Sequence, residues 1–276
     1  MANYTAADIK ALRERTGAGM LDVKKALDEA DGDVEKALEI IRIKGLKGIS
    51  KREGRSALDG LVAGAVVDGT SGVIVEVNCE TDFVTKNEKF VALADQILAA
   101  AVASGAQDVE SLLAAPVGEG TVKDLVDEVA AALGEKIVVR RIARVSGEHV
   151  ELYLHKVSKD LPPQVGVLVA TDAAGAPVSR DVATHVAAFS PLYLSREDVP
   201  EETVANERRI AEETARNEGK PEAALPKIVE GRLNGFFKEN VLLDQAFAKD
   251  NKKSVGQVLS EVGGAVTGFA RFRVGA

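Results

Sequence analysis

A valine-rich stretch of alternating apolar and polar residues constrains the fold of this chain more than any other feature. It reads "LVAGAVVDGTSGVIVEVNC" and covers residues 61–79. Alternation with a period of two is typical of a strand with one buried face, and Asp68-Gly69 or Ser71-Gly72 can form a turn within it. The sequence therefore predicts a β-hairpin made of strands 61–67 and 73–79.

The same pattern recurs later in the chain. "GVIVEVN" (72–78) is echoed by "GVLVATD" (166–172), and an alanine-rich helical segment follows each copy. "RIARVSG" (141–147) is likewise echoed by "FARFRVG" (269–275). A repeated order of strand, helix and closing strand predicts two related α+β subdomains. Because the matching strings are short and rich in valine, chance similarity is the alternative.

Residues 1–55 have a helical period and predict a three-helix docking module followed by a basic linker. Thr5 and Asp8 have the spacing of a capping box, and Asp33 is placed to cap a third helix that ends near residue 46. The string "TGAG" (16–19) separates the first two helices. The basic run 41–55 is read as a solvated helix end or linker, with contact to an acidic partner as the alternative.

The remaining boundaries follow from changes of period and charge. We assign residues 56–147 to the first α+β subdomain, and residues 148–195 together with 241–276 to the second. The intervening segment 196–240 is highly charged and helical, with a break at "NEGKP". It predicts an antiparallel helical hairpin of coiled-coil type, which is either a surface insertion or an arm that grips a partner or a second copy of the chain. A homodimer and a heterotetramer both stay open.

Composition excludes several classes of protein. The net charge of −8 argues against broad electrostatic binding of nucleic acid, which requires a basic face. No apolar run is long enough to cross a bilayer, and the N-terminus lacks the pattern of a signal peptide, so we expect a cytoplasmic location and no membrane partner. The single cysteine excludes an intrachain disulfide framework and a cysteine-based zinc site.

The residues that could support catalysis do not converge. The sequence contains neither a P-loop nor a dinucleotide-binding glycine motif, and His149, His155 and His185 are too scattered for a metal motif. We read His185 as a core residue on an apolar helix, and Cys79 as a buried strand residue. A hydrolase built on Cys79 is the enzymatic alternative. We therefore predict a protein that is not an enzyme, with no metal site.

The pair Asp82-Phe83, within "EVNCETDFVTKN" (76–87), has no obvious place in this scheme. The strand pattern ends near Cys79, and Thr85 or Asn87 can cap the next helix. The pair is therefore predicted on the tight connection between strand and helix. A buried Phe83 would be a core residue, whereas an exposed one beside a carboxylate would be a protein-binding feature. Both alternatives stay open at this point.

Two segments carry a resemblance to a known family. "LRERTGAGMLDVKKAL" (12–27) and "EVNCETDFV" (76–84) resemble the two signature segments of the bacterial elongation factor Ts family. The similarity continues in the same order to "VTGFARFRVG" (266–275). It implies an exchange factor that releases GDP from elongation factor Tu. It also implies a ubiquitin-associated-like N-terminal module, two related α+β subdomains and a coiled-coil arm.

The resemblance also implies which residues contact the partner. Asp82 and Phe83, within the motif Thr81 to Val84, would approach the magnesium and phosphate region of elongation factor Tu, with Phe83 entering between two helices. His155 in "ELYLH" would contribute to the same contact. The chain would thus have no intrinsic cofactor and would act on the magnesium and GDP of its partner, without contacting nucleic acid directly. The implied docking residues of the N-terminal module are Arg13, Met20, Leu21, Val23 and Lys24.

Two departures from the family pattern are visible. Many members continue past the last strand with a further helical module, whose contacts we expect to be missing here. Thr85 stands where the family usually has alanine or serine, a mild change that should not alter the Asp82-Phe83 tip. The alternative function is a non-catalytic adaptor that uses the three-helix module to bind unrelated proteins.

Overall fold

The computed structural model of the chain describes residues 3–16 and 18–276, apart from the side chains of residues 46–51. Gly17, in the predicted break between the first two helices, lies outside the described residues. So do the side chains in the middle of the basic run 41–55.

The elements follow one another in three groups. The N-terminal group consists of α1 (Ala6–Thr16), α2 (Met20–Glu29) and α3 (Val34–Arg52). The next group consists of β1 (Asp59–Val67), β2 (Ser71–Cys79), α4 (Asp82–Thr85), α5 (Glu88–Ser104), α6 (Val109–Leu113), β3 (Pro116–Val117), β4 (Gly120–Thr121), α7 (Val122–Leu133) and β5 (Val138–Ser146). The last group consists of β6 (His149–His155), β7 (Val165–Thr171), α8 (Ala176–Phe189), α9 (Glu201–Asn217), α10 (Leu225–Asn240), β8 (Ala246–Phe247), β9 (Asp250–Ser254), α11 (Val255–Glu261) and β10 (Val266–Arg273).

The first and third N-terminal helices begin where their caps predict, whereas α2 follows Gly19 without a side-chain cap. The backbone N–H of Thr5 donates to Asp8 Oδ2 at 2.7 Å, and the side chain of Asp33 accepts from the N–H of Lys36 at 3.0 Å. The helices enclose a small core that includes the buried Leu12 and Leu27. A core of this size stabilises a module only weakly, so its packing against the rest of the chain matters.

Helix α3 runs on to Arg52 instead of ending near residue 46. The reason is a tertiary contact with α7. A Cβ atom on Gly45 would lie 2.6 Å from the Cβ of Ala131, so the two helices approach closely at small residues. Arg52 also donates to the carbonyl oxygen of Ala130 at 3.3 Å. Contact with α7 therefore stabilises helical turns that the sequence pattern left as linker.

Two three-stranded antiparallel sheets form the centre of the molecule, in the orders β1-β2-β5 and β10-β7-β6. The predicted hairpin of strands 61–67 and 73–79 is confirmed, since β1 and β2 pair along their whole length. Asp68 and Gly69 form its turn, with φ values of 52° and 72°. Thr70 completes a connection of three residues, because Val67 pairs with Ser71. The left-handed conformation of the first two residues suits aspartate and glycine.

The sheets are packed face to face and covered by helices on their outer faces. Alternate residues of β2, such as Val73 and Val75, point toward α5 and α7. Ile74, between them, points toward Leu168 of the second sheet. Helices α8 and α11 cover the outer face of that second sheet. The period-two pattern of the sequence thus divides the side chains between two separate cores.

The contact between the sheets is nearly symmetric. The strand registers make Gly72 equivalent to Gly166, and Val62 equivalent to Val150. A Cβ on Gly72 would lie 2.9 Å from Val150 Cγ1, and a Cβ on Gly166 would clash with Val62 Cγ1. Each half therefore supplies a glycine that makes room for the valine of the other half.

The closing strands β5 and β10 are equivalent in a register that differs by one residue from the alignment of their strings. Val73 pairs with Arg144, and the equivalent Val167 pairs with Arg271. Arg144 donates to the carbonyl oxygen of Ala106 at 2.7 Å, just past the end of α5. Arg271 donates to the carbonyl oxygen of Ala187 at 3.2 Å, in the last turn of α8. In both halves a cation is therefore placed at the negative end of the covering helix.

Helices α9 and α10 form an antiparallel hairpin between α8 and β8. Their contact is small: Ala211 packs against Val229 and Leu233. The outer faces are charged, and Arg232 pairs with Glu218 across the turn at 2.7 Å. No helix in the described part of the chain is long and apolar enough to span a membrane.

The symmetric contact between the sheets makes a stability prediction. Gly166→Ala should lower the free energy of unfolding by about 1–3 kcal/mol, because the added methyl group clashes with Val62. Gly231→Ala is the matched control, since this exposed position within α10 has open space around it. It should raise stability by up to about 1 kcal/mol. Urea unfolding followed by circular dichroism measures both, and an unchanged stability of Gly166→Ala would contradict the close contact.

Candidate functional site

The pair Asp82-Phe83 lies on a four-residue helix, α4, that protrudes from the end of β2. The side chain of Phe83 is 81% exposed, the highest value among the exposed large apolar residues whose side chains the structure describes. The structure therefore decides between the two alternatives that the sequence left open. Phe83 is not part of the core, and an exposed aromatic residue is typical of a protein-binding surface.

The other residues of the α4 turn are fixed by a helix cap and by buried side chains. Thr81 caps α4 by accepting from the N–H of Val84 at 3.4 Å. The side chains of Val84 and Thr85 are buried, and the Thr85 hydroxyl lies 3.2 Å from the sulfur of Cys79. The next helix, α5, begins at the cap Asn87. Buried residues thus anchor the turn at its C-terminal end while Phe83 points into solvent.

The turn carries a local ion pair beside the exposed ring. Lys86 Nζ lies 2.8 Å from Asp82 Oδ2 and 6.0 Å from the centre of the Phe83 ring. The hydrogen bond from Lys86 lowers the pKa of Asp82, so the carboxylate is ionised at neutral pH. Both side chains are well exposed, and the pair contributes little to stability. The tip therefore presents an aromatic ring next to a carboxylate whose charge is partly balanced.

Glu135 contacts the base of the turn and was not identified from the sequence. It lies between α7 and β5, and its carboxylate accepts from the backbone N–H groups of Glu80 and Thr81 at 3.0 Å each. The hydroxyl of Thr81 also donates to it, at 2.6 Å. These residues are more than fifty positions apart in the chain, so no local pattern could have predicted the contact.

His155 lies at the exposed end of β6, where its Nδ1 is 3.1 Å from the hydroxyl of Tyr153. The loop that follows it returns along β1, because the N–H of Val62 donates to the carbonyl oxygen of Pro163. The pKa of Lys86 is raised chiefly by its hydrogen bond with Asp82, and the nearby Asp160 adds to this effect. The charge of Asp160, in the loop between β6 and β7, therefore acts on Lys86 of the α4 turn.

The predicted docking residues of the N-terminal module separate into exposed and buried ones. Met20 and Leu21 open α2 and are 58% and 72% exposed. Arg13 and Lys24 are also exposed. Val23 is completely buried in the core of the module, so its side chain cannot contact a partner directly. Val84, the last residue of the predicted contact segment Thr81 to Val84, is buried as well. Its side chain therefore cannot contact a partner directly either.

The module is tied to the subdomain that carries the turn. Lys89, in the first turn of α5, donates from Nζ to the carbonyl oxygen of Arg15 in α1 at 2.9 Å. This bond joins the helix that follows α4 directly to the N-terminal helices. Together with the contact between α3 and α7, it holds Met20 and Phe83 on one structural frame.

Cys79 and His185, the two other side chains considered for a chemical role, are both buried in the core. Cys79 is buried, and burial raises the pKa of its thiol to about 11. His185 is also buried, as predicted: its Nδ1 accepts from the N–H of Ala248, and burial lowers its pKa. Among residues 3–16 and 18–276, no group of three or more suitable side chains could hold a metal ion.

A family model and three similar proteins carry the same description. A family model described as Elongation factor TS matches residues 80–276. A protein named Elongation factor Ts from Beutenbergia cavernae is 71% identical over 281 residues, with 100% of both chains covered. Proteins of the same name from Micrococcus luteus and Renibacterium salmoninarum are 69% and 68% identical, again with 100% of both chains covered.

The environment of Cys79 predicts an inert thiol. With a pKa of about 11, roughly one thiol in a thousand is ionised at pH 8, and the thiolate is the reactive form. Iodoacetamide should therefore modify the native chain at least about a hundredfold more slowly than the chain unfolded in guanidinium chloride. Mass spectrometry of timed samples measures both rates. Equal rates would show that the sulfur is accessible and would revive a chemical role for Cys79.

Proposed function

The chain belongs to the elongation factor Ts family, and from this premise we propose that it is the guanine nucleotide exchange factor of elongation factor Tu. The observation that carries the mechanism is the α4 turn, with Phe83 81% exposed on an anchored base. A large apolar side chain held in water is stabilised when a partner buries it. The turn therefore acts on another protein, and no reaction takes place on this chain.

An interface of ordinary size can supply the binding free energy that such a mechanism requires. Burial of Phe83 in the partner contributes about 2–3 kcal/mol. Acceleration of GDP release by about 10⁴-fold requires a barrier lower by roughly 5.5 kcal/mol, and contacts of the docking module supply the difference. Binding energy is spent on a partner conformation that holds GDP and magnesium poorly. Because coupling between sites is reciprocal, nucleotide must weaken the grip of this protein by the same factor, so GTP can displace it.

Asp82 adds an electrostatic component. Its carboxylate is ionised, since Lys86 lowers its pKa, and it lies directly before Phe83 on the same helical turn. A negative charge that enters the magnesium and phosphate region competes with the phosphates for the cation and repels them. Lys86 restrains this charge until the partner rearranges the pair.

The N-terminal module supplies docking energy at a second point. Met20 and Leu21 are adjacent and strongly exposed at the start of α2, and Arg13 and Lys24 carry positive charge nearby. Exposed methionine and leucine side chains rimmed by polar residues are typical of a protein interface. Val23, from beneath, holds the start of α2 in place. We assign Thr81 and Val84 the same supporting role at the α4 turn, with His155 as a further contact near it.

The proposal also includes a division of the chain into four parts. Residues 1–55 form a ubiquitin-associated-like docking module, 56–147 the first subdomain, 148–195 with 241–276 the second, and 196–240 a coiled-coil arm. The equivalent strand registers and the paired glycines support the relation between the two subdomains. The protein acts in the cytoplasm, needs no cofactor of its own, and is not an enzyme in its own right.

The mechanism makes a first prediction at the tip of the turn. Phe83→Ala should slow stimulated GDP release by about 30- to 150-fold, which corresponds to the loss of about 2–3 kcal/mol of burial. Stopped-flow release of fluorescent GDP from elongation factor Tu measures the rate. Val67→Ala is the control, because Val67 is an exposed apolar residue at the opposite end of the same hairpin. It should keep the wild-type rate, and a wild-type rate for Phe83→Ala would exclude the proposed role of the ring.

A second prediction separates docking from release. Leu21→Ala should raise the concentration of this protein that gives half-maximal stimulation by about tenfold, since an exposed leucine contributes about 1.5 kcal/mol when a partner buries it. The maximal rate should stay unchanged, because the α4 turn is intact. A titration of elongation factor Tu loaded with fluorescent GDP gives both quantities. A lower maximal rate with unchanged half-saturation would place Leu21 in the release step instead.

A further inference from the structure

The carboxylate of Glu135 is placed to orient the α4 turn. Helix α7 ends at Leu133 and is capped by Gly134, whose φ of 78° turns the chain back toward β2. The next residue, Glu135, is half-buried and accepts three hydrogen bonds, from the N–H groups of Glu80 and Thr81 and from the hydroxyl of Thr81. All three donors belong to the two residues directly before α4. Hydrogen bonds to an ionised acceptor are the stronger class, so this is a firm attachment.

The attachment controls the cap of the turn. The hydroxyl of Thr81 has one proton, which it donates to Glu135 Oε1 at 2.6 Å. Its lone pairs are then directed toward the N–H of Val84, which donates to it at 3.4 Å. A helix of four residues has no stability of its own, so its direction depends on its ends. Without Glu135, the hydroxyl of Thr81 would be free to rotate away from the cap.

A reciprocal bond reinforces the same junction. The N–H of Lys136 donates to Glu80 Oε1 at 2.6 Å, so each of the two segments accepts from the backbone of the other. Arg55 lies 3.3 Å from Glu80 Oε2 and balances its charge. Lys136 also donates from Nζ to the carbonyl oxygen of Arg55 at 3.1 Å. The start of α4, the turn after α7 and the segment that follows α3 therefore meet at one point.

We propose that Glu135 is a positioning residue, which holds Phe83 in the orientation needed to reach the partner. Its role rests on the exchange function proposed above. The C-terminal end of the turn is already anchored by Val84 and Thr85, and the bond from the N–H of Lys136 to Glu80 remains at the other end. Loss of Glu135 therefore loosens the N-terminal end without unfolding the subdomain. Docking through Met20 and Leu21 is unaffected. Glu135 therefore contributes to the rate of release and not to the affinity for the partner.

Steady-state measurements of GDP release can distinguish an effect on the rate of release from an effect on the affinity for the partner. Glu135→Ala should lower the maximal rate of GDP release by about tenfold and change the half-saturating concentration less than about twofold, because misplacement of a working group mainly affects the step it drives. Glu119→Ala is the matched control, since Glu119 is an exposed glutamate in the turn between β3 and β4. It should leave both quantities at the wild-type value. Circular dichroism of each variant checks that the fold is retained.

A double mutant tests whether Glu135 acts through the ring. In the Phe83→Ala background, Glu135→Ala should cause no further loss, because the group it positions has been removed. Two losses that multiply would show an action independent of Phe83 and would overturn the proposal. Glu135→Gln keeps one acceptor oxygen for the two N–H groups and should recover part of the rate. This conservative variant carries the test if Glu135→Ala does not fold.

Hydrogen exchange on the isolated chain gives a readout that needs no partner. The amides of Glu80 and Thr81 should exchange at least about tenfold faster in Glu135→Ala than in the wild type or in Glu119→Ala, because they lose their acceptor. Unchanged protection of these two amides would overturn the proposal, whatever the GDP-release assay shows. If Phe83→Ala slows GDP release and Glu135→Ala does not, only the positioning role fails. If the wild-type chain does not stimulate release at all, the proposed exchange function fails, and amide protection alone then decides whether Glu135 holds the turn.

Discussion

The face-to-face contact of the two sheets is the constraint on which the rest of the structure depends. Gly72 and Gly166 occupy equivalent positions and make room for Val150 and Val62 of the opposite half. Because interiors are packed as densely as crystals, this fit sets the distance and angle between the sheets. It also leaves the outer faces free for the helices. A rigid four-layer frame of helix, sheet, sheet and helix follows from two small residues at the right register.

The features to which we assign a function in the proposal lie where the two halves differ. In the first half, the connection between β2 and α5 is enlarged to include α4, whereas the equivalent connection after β7 is a short turn. In the second half, α9 and α10 are inserted between α8 and β8. Loops on a rigid scaffold can change without cost to the core, which is why binding residues concentrate there. Phe83 can stay exposed because Glu135, Val84 and Thr85 fix its base and the frame does not need it.

Much of the frame follows from patterns that act over short distances. Period-two alternation predicted the β1–β2 hairpin, and cap residues placed the starts of α1, α3 and α5 near their observed positions. The interpretation of Cys79 and His185 as buried residues is confirmed for the same reason, since each sits on the apolar face of a regular element. The equivalence of the closing strands was off by one residue. String similarity is dominated by common residues, whereas register is set by hydrogen-bond pairing with the central strand.

The sequence by itself determined the mixed α+β class, the repeated order of elements, and the motif that holds Asp82 and Phe83. Only the tertiary structure decided that Phe83 is 81% exposed while Val23 and Val84 are buried. It alone extended α3 to Arg52 and brought Glu135 to the base of the α4 turn. Local patterns report which residues share a face of one helix or strand. Exposure and long-range hydrogen bonds depend on which faces meet, and that is fixed only when distant segments pack together.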